Sequence, residues 1–168
     1  MARLLVVYYS LSGNTERIVK RLAERYDAER TVRIETVTPY SGSYEDIVER
    51  GKREVECGYI PEIRLVDAYS GEETALDLDG FDVIALGTPT WWYTYAPAVA
   101  AFLKAHDLGG RTVIPFQTHG GWKGHVMGDL KKTGALLRNK FDVQFDSTGG
   151  SVQVTPDAEV DKWIGSID

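Results

Sequence analysis

Leu4-Leu5-Val6-Val7-Tyr8-Tyr9-Ser10-Leu11-Ser12-Gly13-Asn14-Thr15 sets an unbroken apolar run directly against a polar turn that contains glycine. A run of this length without alternation is the pattern of a strand covered on both faces, as in a parallel sheet. From Asn14 to Tyr26 the apolar residues Ile18, Val19, Leu22, Ala23 and Tyr26 recur at helical spacing, with Glu16, Arg17, Lys20, Arg21 and Glu24 on the other side. The order is strand, tight turn, helix.

Working outward, the unit recurs. Thr31 to Val37 alternates as a strand, and Ser43 with Asp46 has the spacing of a capping box opening a helix that carries Ile47, Val48 and Val55. Gly58 to Gly80 is polar, with Pro61 and Ser70-Gly71, and reads as a long surface connection with a short extended piece at 63–65 and little core. Phe81 to Gly87 is the next buried strand, and Pro97 suits the first turn of a helix through Ala98, Val99, Phe102 and Leu103. Thr112 to Gln117 is another strand, followed by a helix over 126–137. The last strand is either 141–145 or 152–154, and Asp157 to Ile167 reads as a closing helix. Alternating strands and helices imply an α/β fold with a parallel sheet and right-handed crossovers, in one domain spanning 1–168. In such sheets, ligands bind beyond the C-terminal ends of the strands.

Composition narrows the classes. The 168 residues are enough to bury roughly 70% of the unfolded surface, so no staple is required. Cys57 is the single cysteine, which excludes an internal disulfide and multi-cysteine metal sites, and the plain reading is a small side chain at a helix end. A net charge of −6 argues against nucleic acid. The opening apolar run is too short for a secretion signal or a membrane span, so the cytoplasm is expected. His106 and His125 have no ligand partner at metal spacing, and no metal is expected.

Three segments that follow strands carry the chemistry. In the first, Ser10, Leu11, Ser12, Gly13, Asn14 and Thr15 precede a helix whose unpaired N–H groups form an anion site, to which side-chain hydroxyls and the Asn14 amide add donors. No lysine or arginine lies in the turn, and neither a nucleotide-triphosphate loop nor a dinucleotide fingerprint is present. A single phosphate can be held without a cation. Each hydrogen bond to a charged group contributes about 1.5–3 kcal/mol, and the helix dipole adds roughly 0.3–1 kcal/mol. The second, Pro89-Thr90-Trp91-Trp92-Tyr93-Thr94-Tyr95, places four aromatics within five positions, a platform for a flat heterocycle. Trp92 and Tyr95 are as well suited to packing on the domain's own edge. In the third, Thr118-His119-Gly120-Gly121-Trp122-Lys123-Gly124, three glycines expose backbone donors and Trp122 offers a second aromatic wall. His119 either donates to a ring oxygen or caps the loop.

The segments 6–15, 87–92 and 113–121 resemble, in order, the phosphate, flavin-stacking and ring-edge loops of flavodoxins and flavodoxin-like FMN proteins. The likeness runs from the first strand to about Lys132. It implies a five-stranded, doubly wound sheet of order 2-1-3-4-5, the order for which flavodoxin itself is the standard example, with helices on both faces. It also implies one non-covalent FMN with Trp91 at the stacking position. His119 stands where serine is common in related proteins, and Tyr93 replaces a common small residue. The chain resembles the short-chain type.

The resemblance and the acidic composition together lead to the expectation of a low-potential one-electron carrier with no catalytic residue of its own. Its partners would be redox proteins, a reductase and an acceptor, and it would be a monomer or weak dimer. The alternative is an FMN-dependent NAD(P)H oxidoreductase acting on quinones or nitro compounds. A third class, a regulatory module, is disfavoured. A phospho-acceptor domain wants acids after its first and central strands, where this chain has Tyr9-Ser10 and Leu86-Gly87.

Overall fold

The computed structural model describes residues 2–28 and 30–167. The chain runs β1 (Leu4–Tyr8), α1 (Asn14–Tyr26), β2 (Arg30–Thr36), α2 (Tyr44–Cys57), β3 (Ile63–Asp67), β4 (Val83–Trp91), β5 (Thr94–Tyr95), α3 (Pro97–Ala105), β6 (Thr112–His119), α4 (Val126–Lys131), β7 (Leu136–Leu137), β8 (Phe141–Gln144) and α5 (Asp157–Gly165). The sheet order is β3-β2-β1-β4-β6-β7, with β8 also on β6 and β5 folded back on β4. β1 lies between β2 and β4, with Val6 opposite both Thr31 and Ala85, and all these pairs are parallel.

Both faces are covered, which is why β1 reads as a solid apolar run. Alternate residues enter opposite layers. Leu5 and Val7 join Ile84, Leu86, Val99, Phe102, Val126 and Leu130 on the α3–α4 side. Val6 and Tyr8 join Ile18, Leu22, Ile114, Phe116, Val160 and Trp163 on the α1–α5 side. Side chains of this size contribute about 1.5–3 kcal/mol each when fully buried, so the two layers carry most of the stability.

The expectation of five parallel strands in the order 2-1-3-4-5 is corrected: among the described residues the sheet has eight strands, β3 adds itself beside β2, and two pairs, β2–β3 and β4–β5, are antiparallel. The segment 58–80 is not a bare connection. It contains β3, antiparallel to β2 with Ile34 opposite Leu65, and it buries Leu65, Val66 and Leu78. The physical reason lies in α2. Its residues 44–51 sit at the C-terminal edge of the sheet, so the chain re-enters the sheet from that edge and runs backward.

The fifth parallel position is shared by two short strands. β7 pairs with Thr112 and Val113, while β8 pairs with 116–119. The break falls beside Pro115, which has no N–H to offer a neighbour, and Asn139 at φ 47° turns the chain between the two pieces. Leu136 and Leu137, expected at the end of a helix, therefore form β7; α4 stops at Lys131. Of the two candidate last strands, 141–144 is β8, and Gln153 makes only an isolated bridge to Phe145. The closing helix ends at Gly165 instead of Ile167. α2 opens with the expected capping box, Ser43 and Asp46 each bonding the other's backbone N–H, and Cys57 is its exposed last residue. Among the described residues no helix is long and apolar enough to cross a membrane, and no group of three or more His, Cys, Asp or Glu is placed to hold a metal.

Candidate functional site

The strand order brings the C-terminal ends of β1, β4, β6 and β8 to one edge, and they surround a cleft of about 410 Å³. Its volume falls within the range of about 300–1,000 Å³ usual for small-molecule sites. Leu11, Ser12, Asn14 and Thr15 line it from the first turn. Pro89, Thr90, Trp91, Trp92 and Tyr93 line it from the second segment, and Thr118, His119, Gly120 and Trp122 from the third. Ser10, Gly13, Gly121 and Gly124 do not line it. None of the described residues lining the cleft is Asp, Glu, Lys or Arg.

At the first turn the Ser10 hydroxyl faces inward and accepts the N–H groups of Gly13 at 3.2 Å and Glu16 at 3.3 Å. Arg17 N–H reaches Gly13 carbonyl. Among the described residues the N–H groups of Leu11, Ser12, Asn14 and Thr15 have no protein acceptor. These four donors lie at the positive end of α1, an arrangement whose partial positive charge suits an anion. Two expected side-chain donors are engaged elsewhere. Asn14 Nδ2 donates to Gly150 carbonyl at 2.7 Å, tying the turn to the segment after β8, and the Thr15 and Thr118 hydroxyls share a buried 2.8 Å bond. Among the described residues, the Ser12 hydroxyl is the one in the turn that borders the cleft without a protein partner.

The second segment is not a loop. β4 continues as strand through Thr88, Pro89, Thr90 and Trp91, then turns in two residues onto β5, with Trp91 opposite Thr94. Trp92 (φ 44°) and Tyr93 (φ 73°) both adopt the left-handed conformation that a two-residue hairpin requires and that Asn-Gly normally supplies. For bulky residues this costs on the order of 1–2 kcal/mol each. Trp92 Nε1 donates to Val48 carbonyl at 3.0 Å, and His125 N–H donates to Tyr93 carbonyl at 2.6 Å. Asp129 accepts the Thr94 hydroxyl at 2.6 Å. Burial pushes the Asp129 carboxyl up, but the bonds from Thr94, His125 and Lys132 outweigh it and hold it below the usual range.

Trp91 is pinned from behind. Its ring lies edge-on to Tyr40 at 5.0 Å and to Tyr9 at 6.1 Å. A Cβ at Gly51 would stand 3.0 Å from the indole, so α2 approaches it without a side chain between.

In the third segment His119 caps the loop. Its Nδ1 accepts Gly121 N–H at 3.0 Å, which leaves Nε2 as the protonated nitrogen donating to Asp142 at 3.0 Å. With both nitrogens engaged it has no N–H for a ligand, and its ring borders the cleft. Gly124, though outside the cleft, is required at φ 60°: a Cβ there would stand 2.1 Å from Tyr93 carbonyl oxygen. Trp122 stands at the rim and is 73% exposed. Tyr95 packs against the α3–α4 core instead of facing the cleft.

Sequence reasoning missed two walls. Tyr44, Ile47, Val48 and Gly51 come from α2, and Phe145, Ser147, Thr148 and Gly149 from the segment after β8. The second wall repeats the hydroxyl-and-glycine composition of the first turn in Ser147-Thr148-Gly149-Gly150, a pattern that was readable. The helical wall has no such signature.

The family model described as Flavodoxin matches residues 3–141. Among curated proteins, none matches this sequence. Among solved structures, the chain is similar to a flavoprotein from Lactobacillus acidophilus in complex with FMN, at 18% identity and a TM-score of 0.72, covering 97% of this chain and 99% of that one. A protein described as a flavoprotein, from Bacteroides uniformis, gives 25% identity and a TM-score of 0.74 over 98% of both chains. Oxidised flavodoxin 1 from Bacillus cereus gives 17% and 0.53, over 96% of this chain and 92% of that one. With the family model spanning β1 to the start of β8, the chain belongs to the flavodoxin family.

Proposed function

We propose that the cleft holds one FMN and that the protein is a low-potential electron carrier between redox partner proteins. The observation that carries the cofactor is the pairing of four unpaired N–H groups at residues 11, 12, 14 and 15 with an aromatic wall at 91–93, in a cleft lined by no charged side chain. The amides and the Ser12 hydroxyl suit a terminal phosphate. Trp91 and its neighbours suit a flat tricycle, and Gly120, with the hydroxyl-rich segment 147–149, suits polar ring edges and a ribityl chain. FMN, when bound, supplies one-electron redox chemistry. The chain's own contribution is to bind, to exclude water with Trp91 and Phe145, and to set the field. Neutral walls and a net charge of −6 oppose added negative charge, because like charges repel.

Calorimetric titration with FMN tests the cofactor, with one site per chain expected. FMN at a hundredfold its Kd should stabilise the fold by about 2.7 kcal/mol, read as a raised Tm. A potentiometric titration then tests the carrier role. A midpoint below that of free FMN is expected, and a higher one would refute it. Sustained NAD(P)H oxidation by the loaded protein alone would favour the oxidoreductase reading instead.

A further inference from the structure

Behind Trp91 lies a group that neither phosphate nor ring binding uses. Glu54, on the inner face of α2, is 7% exposed, and its carboxylate is fully engaged. Oε2 accepts the Tyr40 hydroxyl at 2.6 Å and Oε1 accepts Arg50 Nε at 2.9 Å. The Arg50 guanidinium lies over the Tyr40 ring, 4.7 Å from its centroid. Tyr40 in turn meets the Trp91 indole edge-on at 5.0 Å, and Trp91 opens onto the cleft. An aromatic that faces the cleft is therefore in contact with a phenol already hydrogen-bonded to a base.

We propose that Trp91, Tyr40 and Glu54 form a redox relay in which an electron hole on Trp91 passes to Tyr40 as the Tyr40 phenolic proton moves onto Glu54. The steps balance. A one-electron oxidant at the cleft takes an electron from the Trp91 indole. Tyr40 then returns one electron to Trp91, its O–H bond breaks, and the proton bonds to Glu54 Oε2. The products are an intact tryptophan, a neutral tyrosyl radical and a neutral carboxylic acid. In the loaded protein the oxidant is photoexcited FMN, and to that extent the proposal rests on the cofactor reading above.

Two features favour this route. The guanidinium over the Tyr40 ring opposes any positive charge there, so the proton must leave with the electron. The transfer also replaces an indole cation and a buried carboxylate by two neutral groups, which a low-dielectric site favours. Tyr9 also touches Trp91, but among the described residues it is the Tyr40 hydroxyl that is bonded to Glu54. In the resting state the phenolic proton stays on Tyr40, since burial and the neighbouring Glu54 push its pKa far up.

The test needs no flavin, so failure of FMN binding leaves it intact. A ruthenium polypyridyl attached to the exposed thiol of Cys57, three residues after Glu54 on α2, is flash-oxidised with a sacrificial acceptor, and transient absorption separates tryptophanyl from tyrosyl radicals. A tyrosyl component that grows in as the tryptophanyl signal decays is expected, absent in Tyr40→Phe and retained in Tyr9→Phe. Glu54→Gln, which weakens the proton acceptor, should slow that component by about tenfold. Should Glu54→Gln not fold, the wild-type rate in D₂O decides, and slowing is expected. An unchanged tyrosyl yield in Tyr40→Phe, or a rate unaffected by both Glu54→Gln and D₂O, would overturn the proposal.

Discussion

Gly120 holds two walls of the cleft at a separation that no side chain permits. A Cβ built on it would stand 2.3 Å from Thr148 nitrogen and 2.4 Å from Ser147 carbonyl carbon, both backbone atoms, where real contacts do not fall below 3.0 Å. Gly120→Ala must therefore move the segment 147–149 away from β6 by most of an ångström. Inserting one carbon into a packed site of this kind costs about 1–3 kcal/mol. The bond from Asn14 to Gly150 transmits the displacement to the first turn, so the same strain acts on the cleft proposed to hold FMN. Chemical denaturation should show a stability loss of about 1–3 kcal/mol, and FMN affinity should fall by a factor of about 5–150 if all of it opposes binding. A variant within about 0.5 kcal/mol of wild type, the range of an ordinary surface substitution, that binds FMN as tightly would refute the close approach and its role in the site.

Ser10→Ala leaves the N–H groups of Gly13 and Glu16 without their acceptor, so it should cost about 1 kcal/mol of stability by denaturant titration and loosen FMN binding, although Ser10 itself does not line the cleft. Tyr93→Gly relieves a left-handed backbone at a side chain that is 53% exposed, and thermal unfolding should show a gain of about 1 kcal/mol. Trp91→Ala should weaken FMN binding by about 1–3 kcal/mol in a calorimetric titration. Tyr8 is pushed up to about 12 by burial and by Glu16, and burial with Glu54 raises Tyr9 and Tyr40 further. A raised folded value stabilises the protein fully below the ordinary value of 10.0, and that contribution is lost as pH rises through the folded values. Ultraviolet titration should thus leave these three tyrosines protonated near pH 11, about one unit above free tyrosine, and a complete single-step titration of all nine would contradict their burial.

The unbroken run 4–9 and the helical face of 14–26 were readable because they record burial, and burial is local in its periodicity. Leu5, Val6 and Val7 are fully buried on two different faces, and Ile18 and Leu22 fill one of them. The capping box at Ser43 was equally legible, since both of its bonds lie within three residues. The unpaired amides of the first turn follow from a polar, glycine-containing turn placed at a helix start. The family resemblance, too, was carried by short motifs of this kind.

What depended on partners distant in sequence was not readable. Thr15 bonds Thr118 across 103 positions and Asn14 bonds Gly150 across 136, so two side chains expected as donors are engaged within the protein. β3 runs backward because the chain leaving α2, whose residues 44–51 lie at the cleft edge, re-enters the sheet with Ile63 opposite Thr36 at the end of β2, and nothing within 58–80 encodes that direction. Local sequence determined which residues are buried, where helices begin and where an anion can sit, because side-chain period and backbone capping act over a few residues. The tertiary structure alone decided which hydroxyls remain free for a ligand, which helix walls the cleft and what stands behind Trp91, because each depends on segments that meet across long stretches of chain, 103 positions from Thr15 to Thr118 and 44 from Val48 to Trp92.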